Sequence, residues 1–114
     1  MYKTIINLEI KENNNYIICS LSWELDISNS FQTFKTIDNY INNNYSQNII
    51  FNLKELKYMD SDSIRAIVDL FDKIENSKWT FIIVDANEWM IDVFELLWIQ
   101  TIISIYWHLK DYVK

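Results

Sequence analysis

The sequence predicts a single α/β domain over residues 1–114: a mainly parallel sheet with an antiparallel N-terminal strand, and strands that alternate with helices. Two patterns carry that expectation. Short apolar runs rich in Ile, Val and Phe recur along the chain, and between them lie longer segments whose apolar residues repeat every three or four positions. Size and composition agree, since 114 residues bury roughly two thirds of their unfolded surface and half of these residues are hydrophobic, 16% of the chain being aromatic.

Residues 3–10 and 16–22 read as two strands joined through Asn13, Asn14 and Asn15, a hairpin-like turn that makes them antiparallel. Asp26, Ser28 or Asn29 can cap a first helix with Phe31, Phe34, Ile37 and Ile41 as its inward stripe, fraying at Asn42, Asn43 and Asn44. Ile49, Ile50, Phe51 and Leu53 form a buried strand, followed by a polar spacer from Lys54 to Met59. A second helix then carries Ile64, Ile67, Val68, Phe71 and Ile74 on one face, with Arg65, Asp69, Asp72 and Lys73 off it. Asn76, Ser77 and Lys78 turn into a strand over 79–84. Asn87 or Asp85 begins a third helix with Met90, Val93, Phe94 and Leu97 inward, residues 102–105 form a short last strand, and 107–114 read as a terminal helix.

The chain contains neither glycine nor proline. Asn, which tolerates left-handed backbone better than other residues with a side chain, is expected to make the turns. A formal net charge of −6 with no run of basic residues argues against nucleic acid, whose phosphates are held by clustered Lys and Arg. The acidic surface fits a protein partner, with the chain a monomer or weak dimer. Cys19 is the sole cysteine and lies in an apolar run, so it reads as a buried inert thiol, and no disulfide forms within the chain. No apolar run is long enough for a signal peptide or a membrane span, so the expected compartment is cytoplasm, with no membrane partner.

The junction of the central strand and second helix carries the functional signal. Asp60, Ser61, Asp62 and Ser63 all cap helix N-termini well, so a serine is presented at the open end of a helix. Apolar strand, Asn-Leu, spacer, aromatic, Met, Asp-Ser and an Ile-x-x-Ile-Val helix together resemble the signature of STAS domains of the anti-sigma factor antagonist type. That resemblance covers essentially the whole chain. It implies helices largely on one side of the sheet and a phosphorylated serine directly after the aspartate, here Ser61. It also implies a function: binding an anti-sigma factor with serine kinase activity, which frees a sigma factor until Ser61 is phosphorylated. Leu21 to Asp26 resembles the family's Gly-x-Leu-Asp, which makes Asp26 a candidate for the same partner-binding surface as Asp60, Asp62, Ser63 and Arg65. Where the family commonly has glycine this chain has Trp23, Ser63 and Trp98, and Arg65 replaces a small residue. The alternative within the family is a scaffolding or accessory subunit of a larger regulatory or transport complex, without a phosphoswitch.

Catalytic readings fit less well. Asp60-x-Asp62 resembles the Asp-x-Asp of haloacid-dehalogenase-type phosphotransferases, but the spacer from Lys54 to Met59 separates it from the strand, and the chain is too short for the remaining motifs. A receiver domain needs an acidic pair after the first strand and a lysine after a late one, and the late strand here runs on to Asp85. His108, the single histidine, lies near the C-terminus and reads as a surface or helix-end residue, so a Ser-His-Asp or His-Cys metal set finds no support, and no cofactor or metal is expected. The tryptophans read mainly as packing residues, with Trp89 or Trp98 marking an exposed contact patch.

Overall fold

A computed structural model describes residues 6–13, 16–42, 48–75 and 80–106. Five strands, β1 (Ile6–Asn13), β2 (Tyr16–Leu25), β3 (Asn48–Met59), β4 (Thr80–Val84) and β5 (Ser104–Tyr106), form one sheet in chain order. β1 runs antiparallel to β2 and the other pairings are parallel. Helices α1 (Ser30–Asn42), α2 (Ser61–Glu75) and α3 (Glu88–Leu96) supply the connections, and a 3₁₀ turn, Ile99–Thr101, precedes β5. The expected α/β class and strand directions are therefore those observed. The expected turns at 14–15, 43–44 and 76–78, the start of the 79–84 strand and the terminal helix over 107–114 lie outside the described residues.

Alternation along the strands divides their side chains between two faces. Ile17, Cys19, Ile49, Phe51, Phe81 and Ile83 meet Phe34, Ile37, Ile64, Ile67, Ile74, Met90 and Phe94 in the main core. Phe51 lies at its centre, with its ring 6.0 Å from that of Phe34 and 4.8 Å from that of Phe81. Ile50, Ile82 and Val84 are buried on the opposite face against Tyr16 and Ile18. Cys19 is buried in the main core, and desolvation pushes its thiol up to about 12, so it is protonated and unreactive at neutral pH.

Four details differ from the sequence expectation. Phe31 is 77% exposed, and Ser30 and Thr33 take the inward positions of α1 beside Phe34, Ile37 and Ile41. Leu97 also faces solvent, because α3 ends at Leu96 and the chain then reverses; Ile99 and Ile103 fill the core in its place. Ile102 is exposed and β5 begins two residues later than expected. Residues 54–59 are not a spacer but the second half of β3, paired with β2 through two register shifts. Asp60 therefore directly follows a strand, and the spacer is no longer an argument against the Asp-x-Asp reading.

No described Asn takes left-handed backbone. Among the described residues those with positive φ are Trp23 (79°), Asp85 (60°) and Trp98 (60°), so two of the three positions where the family commonly has glycine keep a glycine-like conformation with a tryptophan in place. Such a conformation costs a residue with a Cβ roughly 1–2 kcal/mol. Trp98 is 71% exposed and loses little packing on truncation. Trp98→Gly is expected to raise the chemical-denaturation midpoint, with a gain in unfolding free energy of up to about 1 kcal/mol once glycine's larger unfolded-state entropy is subtracted. Trp98→Ala, which keeps Cβ, is expected to give no such gain, and equal midpoints for the two variants would show that the backbone there is relaxed.

Candidate functional site

β2 and β3 run parallel and end side by side, Leu25 opposite Met59, so the loop entering α1 and the junction entering α2 leave the sheet at the same edge. Asp60 joins them. Its backbone N–H donates to the Leu25 carbonyl (3.2 Å), and its own carbonyl accepts the first helical bond of α2, from the Ile64 N–H (3.1 Å). Its Oδ1 accepts from both the backbone N–H (2.9 Å) and the hydroxyl (2.7 Å) of Ser63, and its Oδ2 accepts from the Ile27 N–H (2.8 Å). Asp60 is thus the N-cap of α2 and a clamp between two loops.

That assignment fixes the roles of the neighbouring residues. Ser61 occupies the first position of the helix, is exposed, and its hydroxyl bonds to no described residue. Asp62 is likewise exposed in the first turn, where its charge is favoured by the positive end of the helix dipole. Ser63 is fully buried and its hydroxyl is held by Asp60. The expectation that Ser63 lines a partner surface is corrected on this ground: it has no accessible surface and supports Asp60 from within. Arg65 is exposed one turn further along α2.

Asp26 lies on the adjoining loop, next to Ile27, whose N–H reaches Asp60. Its Oδ1 accepts from the Ser28 N–H (2.9 Å), and its carbonyl accepts from the Asn29 and Ser30 N–H groups, so it shapes the turn before α1. Asn29 stands at the cap position of α1, its carbonyl accepting from the Thr33 N–H (3.0 Å), while its amide bonds back to Asp26 N–H and the Glu24 carbonyl. The structure thus brings Asp26, Asp60, Ser61 and Asp62 to one edge, with Arg65 beside them on α2.

Chemically, this edge offers one unengaged hydroxyl beside exposed carboxylate charge. Both oxygens of Asp60 already accept hydrogen bonds, which commits its carboxylate to holding the two loops together. Among the described residues no group of three His, Cys, Asp or Glu is placed to hold a metal ion. No helix among them is long and apolar enough to cross a membrane. Sequence reasoning marked Trp89 or Trp98 as an exposed patch but missed two apolar neighbours of the site: Ile27 is 70% exposed, and the exposed ring of Tyr58 lies 6.3 Å from that of Trp89.

The sheet has this strand order with a serine at the head of its second helix, and comparison with known proteins gives the chain a family. The STAS domain family model matches residues 7–112, and the chain belongs to that family. Among solved structures, a putative anti-sigma factor antagonist from Thermotoga maritima superposes with a TM-score of 0.87 at 24% identity, over 93% of this chain and 91% of that one. The Bacillus cell fate determinant SpoIIAA in its phosphorylated form gives 0.74 at 18% identity, over 94% and 96% of the two chains. The STAS domain of a SulP transporter from Vibrio cholerae gives 0.68 at 13% identity, over 89% and 80%. At these identities the likeness is one of fold. A search of curated protein sequences finds no match.

Proposed function

We propose that this chain is an anti-sigma factor antagonist, a binding module switched by phosphorylation of Ser61 rather than a catalyst. In this reading the unphosphorylated form binds an anti-sigma factor with serine kinase activity in the cytoplasm and so releases a sigma factor, regulating transcription. The phosphorylated form lets the partner go. The observation that carries the reading is the division of labour at the start of α2: Asp60 caps the helix, which leaves the Ser61 hydroxyl exposed and without a structural bond. The solved fold relatives described as anti-sigma factor antagonists support it.

Phosphate on Ser61 adds about −1.5 to −2 charges beside Asp60 and Asp62. The unpaired N–H groups and dipole of the helix start favour a nearby anion by roughly 0.3–1 kcal/mol, which offsets part of that repulsion. The fold is therefore expected to tolerate the modification. A partner seated over Asp26, Ser61, Asp62 and Arg65 must instead desolvate a new charge and accommodate its bulk, and about 1.4 kcal/mol of lost binding is already tenfold. With kinase and ATP, mass spectrometry is expected to place one phosphate on Ser61, and Ser61→Ala to abolish it. Ser61→Glu is expected to melt like wild type yet bind the anti-sigma factor at least tenfold more weakly, while Ser61→Ala keeps its affinity. Equal affinities for all three would reject the switch.

The similarity to a transporter STAS domain supports a second reading, an accessory subunit of a larger complex without phosphoswitching. Co-purification with a large assembly, with no phosphate on Ser61 in the presence of the kinase, would favour it.

A further inference from the structure

The outer face of α3 has a character that packing does not explain. Met90 and Phe94 point into the core, whereas Glu88, Trp89, Asp92, Glu95 and Leu96 are exposed. At 100° per residue those five share one side of the helix, with Glu88, Asp92 and Glu95 along one half and Trp89 and Leu96 along the other. None of the three carboxylates is in an ion pair among the described residues, and α3 contains no basic residue. The dipole favours Glu88 in the first turn, but Glu95 sits near its negative end and like charges one turn apart weaken a helix, so α3 itself gains nothing from Asp92 and Glu95.

The apolar half is well placed to be read. The ring of Trp89 lies tilted against that of Tyr58 of β3, with centroids 6.3 Å apart. Asn87, the N-cap of α3, accepts from the Met90 N–H (3.0 Å) and donates to the Leu56 carbonyl (3.4 Å), fastening the start of α3 to the same strand. The rings are therefore positioned before any partner arrives, which lowers the entropy lost on binding. Tyr58 also lies two residues before Asp60, near the end of β3 from which α2 and Ser61 start.

From these observations we infer that α3 is a second docking surface for the protein partner, seated in a groove with an apolar floor and Lys or Arg along one edge. The inference rests on the reading given under Proposed function and adds to it the chemistry of the partner's surface. Trp89, Tyr58 and Leu96 meet the floor, and the Glu88–Asp92–Glu95 row meets the basic edge. This contact lies beside the Ser61 edge, so it supplies affinity that phosphorylation does not remove directly.

The test uses the purified anti-sigma factor kinase from the same genome as the probe. It is titrated calorimetrically with the full chain, with Trp89→Ala, Leu96→Ser and Asp92→Lys, and with Ser61→Glu as reference, each checked by circular dichroism. Trp89→Ala and Leu96→Ser are expected to weaken binding about tenfold. Asp92→Lys is expected to weaken it mainly at low salt, by slowing association. Leu96 is 78% exposed, so its variant reports on docking even if Trp89→Ala loosens the fold. Variants that bind like wild type, while Ser61→Glu binds more weakly, would overturn this inference and leave the switch standing. A wild-type chain that does not bind the kinase would overturn both.

Discussion

Phe51→Ala is expected to destabilise the protein by about 3–5 kcal/mol, the range for truncating a fully buried Phe. The ring has no exposed surface and is central to the strand carrying it, with Phe34 from α1 on one side and Phe81 from β4 on the other. Phe71 of α2 meets Phe81 edge to face in turn, with ring centroids 6.0 Å apart. Loss of the ring therefore opens a cavity bounded by three different elements, which cannot collapse by moving any one of them. Phe51→Leu, which keeps most of the volume, is expected to cost less than half as much. Urea denaturation followed by far-UV circular dichroism measures both, and similar midpoints for Phe51→Ala and wild type would show that the core can repack around the deletion.

Asp60→Ala is expected to cost about 2–4 kcal/mol and to disorder the site before it unfolds the domain. Losing an N-cap costs typically about 1 kcal/mol, and leaving the buried Ser63 hydroxyl without its acceptor adds roughly 1–3 kcal/mol. The Ile27 N–H also loses its acceptor, so the loop entering α1 is no longer tied to the start of α2. Amide hydrogen exchange should show lost protection at Ile27 and Ser63 while the Phe51 region stays protected. Asp60→Asn retains one acceptor oxygen but turns an NH₂ donor toward either Ser63 or Ile27, and is expected to fall between the two. Unchanged protection at Ile27 in Asp60→Ala would mean that the backbone bond from Asp60 N–H to the Leu25 carbonyl holds the loops together by itself.

The order of strands and helices was legible because the apolar period changes from two to three or four at each boundary. Where burial breaks the period, the sequence misleads. In the second half of β3 the buried residues are Leu53, Leu56 and Met59, every third rather than every second, and register shifts against β2 accompany that spacing. Such a segment reads as a polar spacer. Phe31 misleads in another way: its three-residue spacing from Phe34 fits a helical stripe, but it lies about 100° around α1 from the middle of the buried arc, where Ser30 and Thr33 compete for the inward positions. In the candidate site the residue types were legible and the division of roles was not. Asp60, Ser61, Asp62 and Ser63 are all competent caps, and only the point where β3 ends decides that Asp60 performs the task and that Ser63 turns inward. The left-handed positions escaped too, because the path of the chain, not the preference of the residue, places Trp23 and Trp98 there.

The chain-order arrangement of the sheet has a consequence for how the molecule assembles during synthesis. Every strand finds its partner in the segment made just before it, so no pairing waits for a distant part of the chain. Between parallel strands the loop to be closed is never longer than one helix with its turns, and the entropy of closure grows only slowly with such length, by about 0.6 kcal/mol per doubling. A nascent chain can add β3 to β2 and then β4 to β3 as each emerges, always onto a sheet that already has one free edge. β5, with three paired positions, is the last and weakest addition. Assembly of this kind is vectorial: the Ser61 edge, which needs only β2, β3 and the beginning of α2, takes shape while the C-terminal third of the chain is still being made.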